Sequence, residues 1–478
     1  MRLIFRVLFV ILLAFSFLRS PADILAQDEQ PDEPVYIVQE GDSLWDIAYR
    51  FRVSVDDLSR ANGITDPNQL VAGAKLVIPG LSGIQGVLDT VVVPFGESLK
   101  SLSRRYQVPI ETIIRLNHLT SPAELYVGST LAILKQDDKT NSTRRHYIVP
   151  GESLLELAVT QGVSPWSFVQ ENNLINTSNA TPGDVLHISN QVASDEPSNE
   201  PGALPEAINK VDILPQLLIQ GKAMLVQVGA EPGMHLAGKL TDRGMIFFTQ
   251  DNSNYLSLQG VHAMTEPGLY SLVISGTLPS GAPFSYSQGV LISAGNYPFD
   301  PVLTVSPETI DPAVTRPEDA EWAALTVPVT PEKLWEGMFT SPAPPPYNDC
   351  WPSRFGNRRS YNGSAYQYFH TGLDFCGGVG TEILAPAAGR IVFAGPLTVR
   401  GNATVIDHGW GIYTGYLHQS EILVKPGDLV QQGQIIGKVG GTGRVTGPHL
   451  HWEIWANGVQ VDPMDWLEQA YPPEESDY

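Results

Sequence analysis

Half of the histidines in this chain lie in one short stretch. Of ten in all, five fall between His370 and His451. In His449-Leu-His451 an extended backbone would send both imidazoles to one face and Leu450 to the other. Upstream, His370-Thr-Gly-Leu-Asp374 spaces an imidazole and a carboxylate four apart, which shares a face on either a strand or a helix. Tyr416-Leu-His418 stands between the two motifs. An HxH pair alone recurs by chance, but HxxxD, a lone His and HxH within about eighty residues form a specific combination. Imidazoles and a carboxylate aimed at one point suit a metal cation and little else.

Such side chains need rigid carriers. After Asp374 the sequence reads as short strands and turns with almost no helical period: Arg390-Ile-Val-Phe393, Thr404-Val-Ile406, Ile412 to Tyr416 and Ile435-Ile-Gly437. Glycines from Gly440 to Gly447 permit tight turns before the HxH pair.

The segment from about Pro352 to Leu467 resembles the lysostaphin-type (LytM-like) zinc metallopeptidases. The likeness rests on Phe355-Gly-Asn-Arg-Arg359, His370-Thr-Gly-Leu-Asp374, Gly380 to Gly389, Ile406-Asp-His-Gly409, Tyr416-Leu-His418 and Gly447-Pro-His-Leu-His451, in that order. It implies a mainly antiparallel β peptidase domain over 348–470. It also implies Zn²⁺ held by His370, Asp374 and His451, with a fourth position open to water. By the same resemblance His449 is the general base, and His418 holds the water or stabilises the oxyanion. Asp407 and His408 are read as structural, and Glu453 as a group that orients a ligand histidine. The two cysteines, Cys350 and Cys376, flank the first motif. A disulfide is the first reading for them, ahead of free thiols or a thiolate near the metal.

The first third of the chain repeats itself. Gly41, Gly96 and Gly151 are 55 residues apart, and the same offset relates Ser43, Ser98 and Ser153, then Asn62, Asn117 and Asn172. Each unit opens with an apolar strand and continues with a serine at a helix start. Two short amphipathic helices and a closing strand follow, a βααβ pattern. Ser43 with Asp46 and Ser153 with Glu156 have capping-box spacing, whereas Ser98 lacks the carboxylate. The units, 35–80, 88–134 and 145–189, resemble LysM domains. That implies binding to N-acetylglucosamine-containing glycans through loop residues, including those near Asn62.

Residues 1–26 read as a signal peptide, with Arg2 and Arg6 ahead of an apolar run from Val7 to Leu18; left uncleaved, this segment would be an anchor and the chain's contact with a membrane. Residues 190–205 read as a linker and 206–306 as an immunoglobulin-like β domain, in which His235 and His262 are ordinary. Residues 307–347 read as a Pro-rich, semi-rigid hinge containing an acidic, helix-compatible piece from Pro317 to Leu325. A formal net charge of −22 argues against nucleic acid as a partner.

The whole is expected to be a multidomain, secreted or cell-wall-associated zinc endopeptidase that cuts peptide cross-links of peptidoglycan. Its LysM repeats would hold it on glycan strands. The alternatives are a non-catalytic wall-binding scaffold or regulator, and a muramoyl-peptide amidase.

Overall fold

The computed structural model describes residues 33–66, 68, 70–135, 143–189 and 200–473. The expected signal segment and most of the expected linker lie outside these residues. No described helix is long and apolar enough to cross a membrane.

Two compact units emerge, one built mainly from the first repeat and one from the remainder of the chain. In the first repeat, strand Val35–Ile37 pairs antiparallel with Lys75–Val77 around helices Leu44–Arg50 and Val55–Ala61. Ser43 caps the first helix by accepting from the Asp46 amide. Ile47, Ala48, Phe51 and Leu58 close its core. The third repeat has the same form, with Thr143–Tyr147 paired to Val185–Ser189 around Leu154–Thr160 and Pro165–Glu171. In the second repeat the missing carboxylate of the capping box is replaced by Ser101, whose hydroxyl accepts from the Ser98 amide at 2.7 Å.

The periodic asparagines also have a defined job. Asn62 donates to the Val77 carbonyl and accepts from the Val77 amide, at 2.8 and 2.7 Å. Asn117 does the same with Ala132, and Asn172 with His187. Each locks the second helix to the closing strand, so these amides serve the fold.

The middle region forms two sheets, the first antiparallel and the second mixed, since Pro283–Ser293 also pairs in parallel with Tyr126–Val127 and Leu218–Ile219. One runs Phe248–Thr249, Asn254–Gly260, Ala223–Ala230, Ile208–Leu214; the other runs Arg243–Ile246, His235–Leu240, Gly268–Thr277, Pro283–Ser293. Alternation along Ala223–Ala230 divides its side chains. Met224, Val226 and Val228 enter the core between the sheets, while Ala223 and Leu225 enter the core of the C-terminal domain. Residues 200–205, read as linker, are docked: the buried Arg145 donates to the carbonyls of Pro201 and Leu204 at 2.6 and 3.0 Å.

The C-terminal domain is one long antiparallel sheet ordered Leu373–Phe375, Leu450–Ala456, Ile412–Ile422, Gly401–Gly409, Gly389–Leu397, Leu429–Val430. The expected hinge departs from its reading. Asp311 caps a helix over Pro312–Leu325, which starts earlier than Pro317 and buries Trp322 at 1% exposure. Beyond it Trp335 and Phe339 enter the core of the sheet domain beside Trp410 and Trp466. Three fully buried aromatic rings, each a large apolar area withdrawn from water, hold this stretch in place.

Candidate active site

The site begins with strand register. Asp374 and His451 are directly opposite one another on neighbouring strands, so their side chains share a face. His370 follows the short strand Tyr368–Phe369 and turns inward. His370 Nε2 lies 3.0 Å from Asp374 Oδ1 and 2.9 Å from His451 Nδ1, and Asp374 Oδ1 lies 2.8 Å from His451 Nδ1. The three residues are 1–7% exposed, and their ligand atoms fall within 4.8 Å of one another. Cys350 and Cys376 form a disulfide, with Cα atoms 5.5 Å apart, just past the Asp374 strand.

The far side of each ring fixes what faces inward. His370 Nδ1 is 2.8 Å from the Arg354 carbonyl, which can only accept, so this nitrogen carries the proton and Nε2 presents a lone pair. His451 Nε2 is 3.2 Å from the Glu453 carboxylate, which leaves Nδ1 as the inward lone pair. Two imidazole lone pairs and a carboxylate oxygen, buried within 3 Å of each other, have no proton arrangement that satisfies all three. This donor set fits a divalent cation.

Glu453 is buried at 1% exposure and is saturated with donors. Its Oε1 accepts from the Thr371 hydroxyl at 2.6 Å, and its Oε2 from the indoles of Trp322 and Trp455 at 2.9 and 3.1 Å. Burial would raise its pKa, but the bond from His451 and the charges nearby outweigh that and bring it to about 2. The expected orienting role of Glu453 therefore has a geometry.

His418 reaches the cleft through a backbone irregularity. Leu417 lies opposite His451, so in a regular strand His418 would face away. A register shift against Asn402 and Thr404, with His418 at φ +63°, turns its ring back. The His418 ring is 5.1 Å from that of His449 and 6.0 Å from that of His451. Its Nδ1 donates to the Thr442 carbonyl, and His449 Nδ1 to the Gly447 carbonyl, both at 2.8 Å. Each therefore carries its lone pair on Nε2, and His449 Nε2 is 3.6 Å from Asp374 Oδ1. Burial and the neighbouring imidazoles hold the His418 pKa down to about 3. Asp407 and His408 lie apart from the cluster: Asp407 accepts from Thr330, and His408 spans Ala388 and Thr414.

The surrounding cleft contains residues the sequence reading passed over. His262, read as ordinary, lines it and meets Phe369 edge-on at 5.3 Å. Arg359 lies 3.2 Å from Asp300 and 3.6 Å from Asp374. Arg400 is paired with Glu318 and Asp319. Arg444 stacks 4.5 Å from the Tyr361 ring centre and donates to the Thr309 carbonyl, with no carboxylate partner among the described residues. An arginine beside a histidine motif was the available signal; its neutralisation, or lack of it, depends largely on carboxylates far off in the chain, such as Asp300 for Arg359 and Glu318 for Arg400.

Comparison with known proteins adds the family. Residues 368–463 match Peptidase family M23, and residues 36–79, 91–133 and 146–189 match the LysM domain. Peptidoglycan DD-endopeptidase ShyC of Vibrio cholerae is 42% identical over 111 residues, 23% of this chain and 26% of that protein. DD-carboxypeptidase/endopeptidase Mpg of Neisseria meningitidis is 45% identical over 95 residues, 20% of this chain and 22% of that protein. The chain thus spans about a quarter of the length of the curated relatives it matches. A Pseudomonas aeruginosa protein, whose crystal structure is described as that of a peptidase M23, is 26% identical; the match covers 52% of this chain and 94% of that one, with a TM-score of 0.41. An M23 domain implies a metal, and the cluster of His370, Asp374 and His451 has the donors for one. The chain carries a Peptidase family M23 domain at its C-terminal end, preceded by three LysM domains.

Proposed function

We propose that this protein is an extracytoplasmic zinc endopeptidase that cleaves peptide cross-links of peptidoglycan while its LysM domains hold glycan strands. The observation that carries the reading is the convergence of three buried metal donors with two further histidines in one cleft of an M23 domain. The named relatives are DD-endopeptidases, which puts a D,D-peptide bond first among those to test. The middle sheets are proposed as an immunoglobulin-like module that packs against the peptidase.

In this reading His370, Asp374 and His451 hold the ion. Zinc, when bound, supplies Lewis acidity, acidifying water and polarising a carbonyl. His449, with Nδ1–H committed to Gly447 and Nε2 free, takes a proton from the attacking water and returns it to the leaving amine. His418 is neutral and also presents a lone pair, so it orients that water by accepting a hydrogen bond from its second O–H; it has no hydrogen to offer an oxyanion. Arg444 offers its uncompensated charge to a carboxylate of the stem peptide. Mass spectrometry of digests from a defined muropeptide panel tests the proposal. New amine and carboxyl ends at the cross-link support it; release of intact stem peptides from muramic acid would indicate an amidase. No cleavage by zinc-loaded protein would favour a scaffold.

A further inference from the structure

Glu453 receives one of its four donors from outside the M23 match. Trp322 belongs to the helix Pro312–Leu325, more than forty residues before that match begins, yet its indole N–H reaches Glu453 Oε2 at 2.9 Å. The other three donors, Thr371, His451 and Trp455, lie within the match.

The sheet is shaped to admit this ring. Gly415 is opposite Glu453 on the neighbouring strand, and a Cβ there would come within 2.8 Å of Trp322 Cζ2. The helix is also pinned where it must be. Glu318, one turn before Trp322, accepts from the amides of Val399 and Arg400 at 2.8 and 3.0 Å. Asp319 pairs with the Arg400 guanidinium, which lies 5.1 Å from the Trp322 ring centre. The carbonyl of Arg400 in turn accepts from the His418 amide at 3.0 Å, where the backbone bulges.

We infer that Trp322 is a positioning residue for the metal centre: through Glu453 it fixes the tautomer and ring orientation of His451. The metal-binding unit accordingly begins near Asp311. This rests on the reading of His370, Asp374 and His451 as the ligands. A carboxylate behind a ligand imidazole sets its orientation and basicity, and losing such partners typically costs 10–100-fold in metal affinity. With one indole removed, Oε2 keeps only Trp455, and the carboxylate is held less firmly in the orientation that meets His451 Nε2.

The test measures Zn²⁺ affinity of the full chain by chelator competition, and the visible spectrum of the Co²⁺ form. The variants are Trp322→Phe, Glu453→Gln and the double substitution. Trp322→Phe should weaken Zn²⁺ binding roughly tenfold and shift the Co²⁺ bands. In the Glu453→Gln background the same change should add less than about twofold. Wild-type affinity in Trp322→Phe would overturn the inference. So would a tenfold loss repeated in full without Glu453, which is the signature of a loosened fold rather than of an orienting bond. Wild-type protein that binds no stoichiometric Zn²⁺ would instead overturn the ligand assignment beneath it.

Discussion

His418 and His449 face each other with ring centres 5.1 Å apart, and each has its Nδ1 proton tied to a backbone carbonyl. The pair is thereby set with both Nε2 lone pairs free, next to the three donors but not among them. His449→Ala and His418→Ala should keep stoichiometric zinc and lose turnover by about 10²–10⁴-fold. His451→Ala should lose zinc and activity together. Metal content by mass spectrometry beside kcat on one muropeptide separates the cases. Loss of zinc from His449→Ala, but not from His451→Ala, would reverse the assignment.

Arg444 should report on substrate charge. Arg444→Gln is expected to lower kcat/KM at least tenfold for a cross-linked peptide bearing a free carboxylate beside the scissile bond. The amidated analogue should be nearly unaffected, and Arg444→Lys should restore part of the difference. Equal losses on both substrates would remove the recognition role.

The bridge between Cys350 and Cys376 closes a loop with a sequence separation of 26. In the chain-entropy view such a loop contributes about 3.5 kcal/mol. Replacing both cysteines by serine should lower denaturant stability by roughly that amount. A reductant should affect the wild type and leave the variant unchanged.

His408 gives the domain a defined response to acid. Burial brings its pKa from 6.5 to about 4, although its bond to the Ala388 carbonyl pulls the other way. The unfolded chain therefore takes up this proton first. Its contribution is fully present above about pH 6.5 and is lost as pH falls toward 4. Between pH 7 and pH 4 the wild type should lose roughly 2–4 kcal/mol relative to His408→Gln, measured by urea unfolding. Parallel pH profiles for the two proteins would contradict this.

Glycan anchoring is checked with the full chain. Binding to insoluble peptidoglycan should fall when soluble N-acetylglucosamine oligomers are added, because three LysM sites act together. It should not change in His449→Ala. Retention that ignores the oligomers would point to another surface.

The repeats and the clustering of the His and Asp motifs could be read from sequence because both are local. A 55-residue registry exposes the βααβ units directly, and HxxxD and HxH place their side chains by strand and turn geometry alone. The job of Asn62 could not be read: its partner, Val77, is fifteen residues on, and only the folded unit shows the amide spent on the closing strand. The position of His418 hinged on a bulge and one positive φ, which no composition rule signals. The segment 307–347 misled for a different reason. Its prolines suggested an extended spacer, while Trp322, Trp335 and Phe339 follow no helical or strand period. Their destination was set by pockets in a sheet assembled from residues far downstream.

The strand Ala223–Ala230 has no solvent face. Met224, Val226 and Val228 belong to one core, and Ala223 and Leu225 to the next. Neither core can melt while the other stays intact without stripping this strand of half its packing. The middle sheets and the peptidase should therefore behave as a single calorimetric unit, with one endotherm whose van't Hoff and measured enthalpies agree. Protection of their amides from hydrogen exchange should collapse together, as one foldon, rather than in two steps.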